Sequence, residues 1–347
     1  MMVAVSAHAQ DYPWHLGALN PASVVAPSAI NTASVKPGPN EVVVAVIDSG
    51  VLSSHPSLEG RLLPGYDMLS PPLNLRGSRS DDYSPDARDA KCGGRVTSGT
   101  FRTHGTEVAS LIAGNGQDGV RGVNPSAKIL PIRLFGSCPI ARADLLDAMA
   151  WAGGLPVTGV PINPNPARVI NLSFSGGKAM CGPDLQLLVD RLVKRNIFVV
   201  AAVGNTFGKK LVEPANCSSV ISVGAVDAEN NIEGYSALDV RTVIYAPGGG
   251  KDLSGNTPWN VNKLKVASFD LNFKGDEIHT GAARGVGTSY AAPLVAGFVS
   301  LLLSHRFDMT PAEFVRELPT FTRAVNPTDK CIDCLPKGLA MMLATLR

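Results

Sequence analysis

Three short segments carry the residue types of acyl-transfer chemistry, each where the chain is expected to turn. Gly287-Thr288-Ser289 leads into Tyr290-Ala291-Ala292-Pro293-Leu294-Val295-Ala296-Gly297, a run of small and apolar residues that predicts a buried helix. Ser289 then stands at a helix N-terminus, where unpaired backbone N–H groups and the positive dipole end stabilise negative charge developing beside it. For a lone serine, an ordinary N-cap is the alternative. Val42-Val43-Val44-Ala45-Val46-Ile47 predicts a strand buried on both faces, hence a parallel one, and Asp48 follows it directly. Ligands of open α/β sheets bind beyond the carboxyl ends of strands, which puts this carboxylate at the active edge. A plain capping Asp is the alternative. In Thr103-His104-Gly105-Thr106-Glu107-Val108-Ala109-Ser110-Leu111-Ile112-Ala113-Gly114, residues 108, 111 and 112 have helical spacing and Gly114 is a stop. His104 is therefore expected at the helix start, where the dipole disfavours imidazolium. Asp48 could balance that charge and fix the tautomer, leaving the other ring nitrogen to take the Ser289 proton.

Asp, His and Ser follow one another in one of three unrelated chain orders known for this triad. On Asp48-Ser49-Gly50, His104-Gly105-Thr106 and Gly287-Thr288-Ser289 with its Ala-Ala-Pro, the chain resembles the subtilisin-like serine proteases (subtilases). Two more segments match in order. Ala201-Ala202-Val203-Gly204-Asn205 follows the apolar Ile197-Phe198-Val199-Val200, and the resemblance gives the Asn205 amide the role of oxyanion donor beside the Ser289 N–H. Val169-Ile170-Asn171-Leu172-Ser173-Phe174 resembles the strand that pairs with bound peptide. The resemblance spans roughly Trp14 to Ala340. The remaining histidines, His8, His15, His55, His279 and His305, lack such contexts and are expected at the surface or in turns.

Strand and helix signals alternate. Strands are expected over 128–132, 169–172, 197–202 and 220–226, and helices over 144–151 and 183–194, the latter with Leu185, Leu188, Val189 and Leu192 on one face. This alternation, with the resemblance, implies a three-layer, doubly wound, mostly parallel α/β sheet with helices on both faces. Residues 70–100 and 248–286 break the pattern and are expected as a long surface loop and an irregular insertion. The chain has 347 residues, 45% of them hydrophobic, enough for a large core. Because the motifs span it almost end to end, residues 11–347 are expected to form one catalytic domain. Residues 1–10 read as a signal-peptide remnant or disordered tail, Ala7-His8-Ala9 having the small-x-small form of a cleavage site. No folding propeptide of the kind relatives carry is expected within the chain. A net charge of +2 makes no case for nucleic acid or an anionic membrane. The apolar stretch Leu294 to Leu303 is too short to span a bilayer. A monomer acting on polypeptide, secreted or periplasmic, is the expectation.

Six cysteines suit an oxidising compartment, and sequence alone allows fifteen pairings. Zinc at Cys331-x-x-Cys334 is disfavoured because no second close pair exists. Resemblance to secreted bacterial subtilases implies Cys92–Cys138, Cys181–Cys217 and Cys331–Cys334. No cofactor is expected for the chemistry. Relatives have an Asp-rich calcium loop before the catalytic His, but here Arg76, Arg79 and Arg88 stand in it and compete for Asp81, Asp82, Asp86 and Asp89, which disfavours a structural calcium site.

The expected function is endopeptidase action by Asp48, His104 and Ser289 with Asn205 in the oxyanion hole. A catalytically impaired subtilase-fold binding protein is the alternative. A dinucleotide enzyme is disfavoured by the missing G-x-G-x-x-G after the first strand. By resemblance the primary pocket lies between Ser173-Phe174-Ser175 and Ala201-Ala202-Val203, with Leu211-Val212-Glu213 near its base. Its uncharged walls favour an apolar substrate residue. Glu213 would admit Lys or Arg if it pointed inward; the favoured reading is a solvated loop charge. Three residues depart from the family pattern. Ser175 stands where Gly is usual, Tyr290 where Met is, and Leu294 where His is; the last two are expected to be packing changes.

Overall fold

The computed structural model describes residues 14–16, 32, 35–71, 73–74, 76–86, 91–92, 95–96, 100–136, 140–250, 264–271, 278–326 and 337–338. Along the chain come β1 (Val43–Asp48), β2 (Tyr66–Asp67), β3 (Lys91–Cys92), β4 (Arg95–Val96), α1 (Thr100–Ala113), β5 (Lys128–Arg133), α2 (Arg142–Ala152), β6 (Val169–Leu172), α3 (Pro183–Val193), β7 (Phe198–Ala202), β8 (Ile221–Val226) and β9 (Ile244–Pro247). A hairpin of β10 (Leu264–Leu271) and β11 (Ile278–Gly285) precedes α4 (Thr288–His305), α5 (Pro311–Phe321), β12 (Arg323–Ala324) and β13 (Lys337–Gly338).

The apolar runs become the central strands of one sheet, ordered β9-β8-β7-β6-β1-β5-β2 and parallel throughout. β13 extends it in parallel beside β9, and β12 pairs antiparallel to β13 at the edge. Strand order reverses around β1, the switch point at which such sheets open a crevice. Successive side chains of β1 serve two cores, as the pleat requires. Val44 and Val46 pack towards α1 and α4, while Ala45 and Ile47 pack towards α2 and α3. Both faces are thus covered, and the three-layer α/β expectation holds.

α4 is apolar nearly all round because it lies inside the fold. Its 18 residues are long and apolar enough to cross a membrane by length and composition alone, yet 83% of that stretch is buried within the protein. The apolar run read from 294 to 303 is therefore part of a longer core helix. Pro293 lacks an N–H, so the Ser289 carbonyl loses its usual helix donor close to the reactive turn.

Several expectations need correction. α1 begins at Thr100, so His104 lies in its second turn rather than at its start. The dipole term weakens accordingly, since it fades within the first turn. Residues 248–286 are not wholly irregular: β10 and β11 pair in register from Leu264↔Gly285 to Leu271↔Ile278. His15 and His55 are buried rather than in surface positions. The His55 Nε2 bridges the Ser268 and Gly281 carbonyls of the hairpin at 3.0 and 3.1 Å, and its Nδ1 accepts the Ser57 N–H. His279 and His305 are exposed, and His8 lies outside the described residues.

Candidate active site

β1, β6 and β7 lie side by side; their carboxyl ends lead to Asp48, Ser173 and Asn205, while α1 and α4 carry His104 and Ser289. Asp48 is the last residue of β1 and is fully buried. Its carboxylate receives the Ser49 N–H at 2.7 Å and faces the His104 ring, with Nδ1 2.9 and 3.0 Å from its two oxygens. A carboxylate can only accept here, so Nδ1 carries the proton and Nε2 is left as the basic nitrogen. α1 crosses the 48–50 turn so closely that a Cβ on Gly105 would stand 2.2 Å from the Gly50 carbonyl oxygen. The glycine after His104 is what allows the ring to reach Asp48. Burial works against a charged imidazole at this position. The charges of Asp48 and Glu107 and the Asp48 hydrogen bond outweigh it, holding the His104 pKa above its ordinary 6.5.

Ser289 is the second residue of α4, half-buried. The next residue, Tyr290, sets its ring edge-on to the His104 ring with centroids 5.6 Å apart, so the two helices bring the serine and histidine segments together. Tyr290 is not a simple packing change: its hydroxyl donates to Glu107 Oε2 at 2.5 Å.

Asn205 lies in the segment beyond β7. Its Oδ1 accepts the Thr288 N–H at 3.0 Å and the Thr288 hydroxyl at 2.9 Å, while Thr288 Oγ1 accepts the Gly204 N–H. This fixes the amide orientation and turns Nδ2 towards the serine. The Asn205 Nδ2 and Ser289 Oγ lie 3.0 and 3.3 Å from one point, the place where a Cβ on Gly287 would sit. With φ of 145° at Gly287, an L-residue there would be strained and would fill the space in front of both groups.

The expected substrate segments flank this point. Ser173 is buried, and Phe174 stacks edge-on against Phe135 at 5.5 Å. The Ser175 hydroxyl rests against the Gly204 backbone. Ala201 and Ala202 point into opposite cores and Val203 packs with Leu211 and Ala237, so this segment offers the groove its backbone rather than its side chains.

Glu213 is neither a pocket charge nor a solvated one. It is 2% exposed, and its carboxylate accepts the Gly182 N–H at 2.6 Å, the Lys178 N–H at 3.0 Å and Arg142 Nη1 at 2.6 Å. Burial raises its pKa, but these donors more than offset that and hold it below the usual carboxylate value. Beside it Cys181 and Cys217 form a disulfide, as the resemblance implied. Cys138, Cys331 and Cys334 lie outside the described residues, and with them the other two bridges; Cys92 lies in β3.

The loop after β2 is organised by arginine. Arg76 donates to the Asp67 carboxylate, to the Asp82 and Ser84 carbonyls at 2.7 and 2.8 Å, and to the Ser84 hydroxyl. It also pairs with Asp82 and Asp86 at 3.5 and 3.7 Å. Arg79 holds Asp144 and Asp147, and the fully buried Arg133 pairs with Asp67. Asp81 is exposed. Among the described residues, no group of three or more His, Cys, Asp or Glu is placed to hold a metal ion.

A buried aspartate at the switch point of a doubly wound sheet, paired with a histidine, is an arrangement that hydrolases on α/β folds use. Residues 39–328 match the Subtilase family, and the chain belongs to it. It is 34% identical over 294 residues to an extracellular protease of Xanthomonas campestris pv. campestris, covering 82% of this chain and 47% of that protein. It is also 34% identical over 301 residues to an extracellular basic protease of Dichelobacter nodosus, with the same coverage. The chain therefore spans about half the length of these relatives. Among solved structures, a protease of Pseudoalteromonas arctica superposes with a TM-score of 0.73 at 30% identity, covering 94% of each chain.

Proposed function

We propose that this chain is a secreted serine endopeptidase in which Ser289 is the nucleophile, His104 the general base and Asp48 the group that orients it. The observations that carry this reading are the convergence of the Ser289 hydroxyl and the Asn205 amide on one point, and the contact of the next residue, Tyr290, with a histidine whose Nδ1 is held by a buried carboxylate. Ser289 Oγ attacks the scissile carbonyl while His104 Nε2 takes its proton and returns it to the leaving amine. Asp48 stabilises the imidazolium that forms between these steps. The oxyanion is received by Asn205 Nδ2 and the Ser289 N–H. Thr288 supports the hole indirectly, by holding Asn205 through its Oδ1.

The substrate is polypeptide that reaches the groove between residues 173–175 and 201–205 in extended form. An apolar side chain is preferred on the amino side of the cut, because Glu213, the carboxylate expected near the base of the pocket, is already engaged by Arg142 and two N–H groups. Calcium is disfavoured in the described part of the loop after β2, because Arg76 holds oxygens that would otherwise face a hard cation. A serine-directed fluorophosphonate probe tests the reading. Labelling mapped to Ser289 and abolished by Ser289→Ala is expected; an unlabelled folded protein would favour a binding protein on the same fold.

A further inference from the structure

One turn of α1 beyond His104, and on the same face of the helix, stands a second buried carboxylate. Glu107 is 6% exposed, and three hydroxyls from three places hold it. Thr103 donates to Oε1 at 2.6 Å, Ser268 of β10 to Oε1 at 3.0 Å, and Tyr290 of α4 to Oε2 at 2.5 Å. Hydroxyl donors on both oxygens are the environment of an ionised carboxylate. Tyr290 connects this group to the reactive turn in two ways: it follows Ser289 directly, and its ring lies edge-on to His104 at 5.6 Å. Without a hydrogen bond the ring could turn away; the bond to Glu107 fixes it against the imidazole.

We propose that Glu107, with Tyr290, is a positioning residue for His104: a second negative charge that favours the imidazolium, and a tethered wall that holds the ring in the plane set by Asp48. The proposal rests on reading His104 as the base.

The surroundings single out these groups. β1 brings Asp48 to the ring, and α4 brings Ser289 and Tyr290. β10 carries Lys265 at a half-buried and Asp270 at an exposed position. β5 carries Arg133, whose charge is met by Asp67. The turn at Pro56–Leu58 has no charge of its own, and His55 ahead of it is engaged with the hairpin. Arg102, on α1 itself, is half-buried. Asp48 and Glu107 both raise the His104 pKa against the effect of burial.

The test is the titration of the His104 ring by NMR in the Ser289→Ala protein, with the resonance assigned by its loss in His104→Gln. Residues three apart on a helix have Cβ atoms about 5–6 Å apart, and at an effective dielectric of about 40–80 one charge at that distance moves a pKa by about 0.5–1 unit. Glu107→Gln should lower the His104 midpoint by that amount. In the active enzyme, the acid limb of kcat/KM should move down in parallel. Tyr290→Phe, which is isosteric, should lower the midpoint by less, because the Glu107 charge stays and only the tether that holds the ring against the imidazole is lost. It also serves if Glu107→Gln does not fold. A folded Glu107→Gln or Tyr290→Phe protein whose midpoint stays within about 0.1 unit of the parent overturns the proposal. Since the titration needs no turnover, it is separable from the catalytic reading. Failure to label Ser289 sinks the catalytic reading and with it the role given to His104, whereas an unmoved midpoint with Ser289 labelled sinks this proposal alone.

Discussion

Arg76→Ala should convert a loop held by a side chain into one that needs a metal ion. The guanidinium is 17% exposed and serves two backbone carbonyls, one hydroxyl and the carboxylates of Asp67, Asp82 and Asp86. Asp67 keeps Arg133 when Arg76 is lost, so its pairing survives. Asp86, 7% exposed, and the two carbonyls lose a cationic donor. Hydrogen bonds to a charged group contribute about 1.5–3 kcal/mol each, and removing one partner of a buried pair costs about 3–5 kcal/mol. The loop is near the surface and water can replace part of this, so a net loss of about 3 kcal/mol is expected. In a chain of this size that is a fall in Tm of roughly 4 °C. The vacated space would be lined by carboxylate and carbonyl oxygens, the donors a hard cation prefers. Millimolar calcium should therefore recover part of the lost Tm in the variant and leave the wild type unmoved, read by calorimetry with calcium and with EDTA. A variant that melts within a degree of wild type, or a wild type that loses tens of degrees in EDTA, would refute the reasoning.

Other consequences are open to simple assays. Replacing Cys181 and Cys217 together by alanine opens a bridge across 36 residues. On chain-entropy grounds this should cost about 3–4 kcal/mol, visible as a lower urea midpoint; an unchanged midpoint would contradict it. Cleavage sites profiled on a denatured proteome should fall after Leu, Met or Phe, and dominant cutting after Lys or Arg would show that Glu213 does reach the pocket. Burial holds the His15 pKa down from 6.5 to about 3. Its folded state binds fewer protons than the unfolded chain between those values. Stability should thus be complete above pH 6.5 and fall by up to about 1.4 kcal/mol per pH unit as pH drops towards 3. His15→Gln should flatten that slope, and an unchanged slope would exclude His15 as its source. His104 has the opposite sign. Its raised pKa makes the ion pair with Asp48 fully stabilising below 6.5 and lost as pH rises through the folded value, while activity rises over that same upper interval as the base becomes neutral.

The reactive turns were legible because local chemistry alone writes them. Val43 to Ile47 is apolar throughout, as a strand covered on both sides requires, and a Gly-Thr-Ser turn entering an apolar run has the pattern of a core helix start. What escaped is long-range. Glu213 reads as a loop charge until Arg142, 71 residues earlier, is seen beside it. Tyr290 reads as a packing change until Glu107, 183 residues away, takes its hydroxyl. His55 reads as a turn residue until the β10–β11 hairpin, more than 200 residues on, closes over it. Two elements had local signals that went unread. α5 opens on a capping box, Thr310 and Glu313 exchanging hydrogen bonds, with Phe314, Leu318 and Phe321 on its buried face. In β10, Leu264, Val266 and Phe269 are buried while Lys265 is only partly so, a weak pattern inside a polar stretch.

The measurement that bears most directly on the central claim is peptide hydrolysis by Ser289→Ala, with folding verified by its circular dichroism and melting curve. The account predicts a fall in kcat of about 10⁴–10⁶ with the fold retained. Casein cleavage by that variant at the wild-type rate would contradict it.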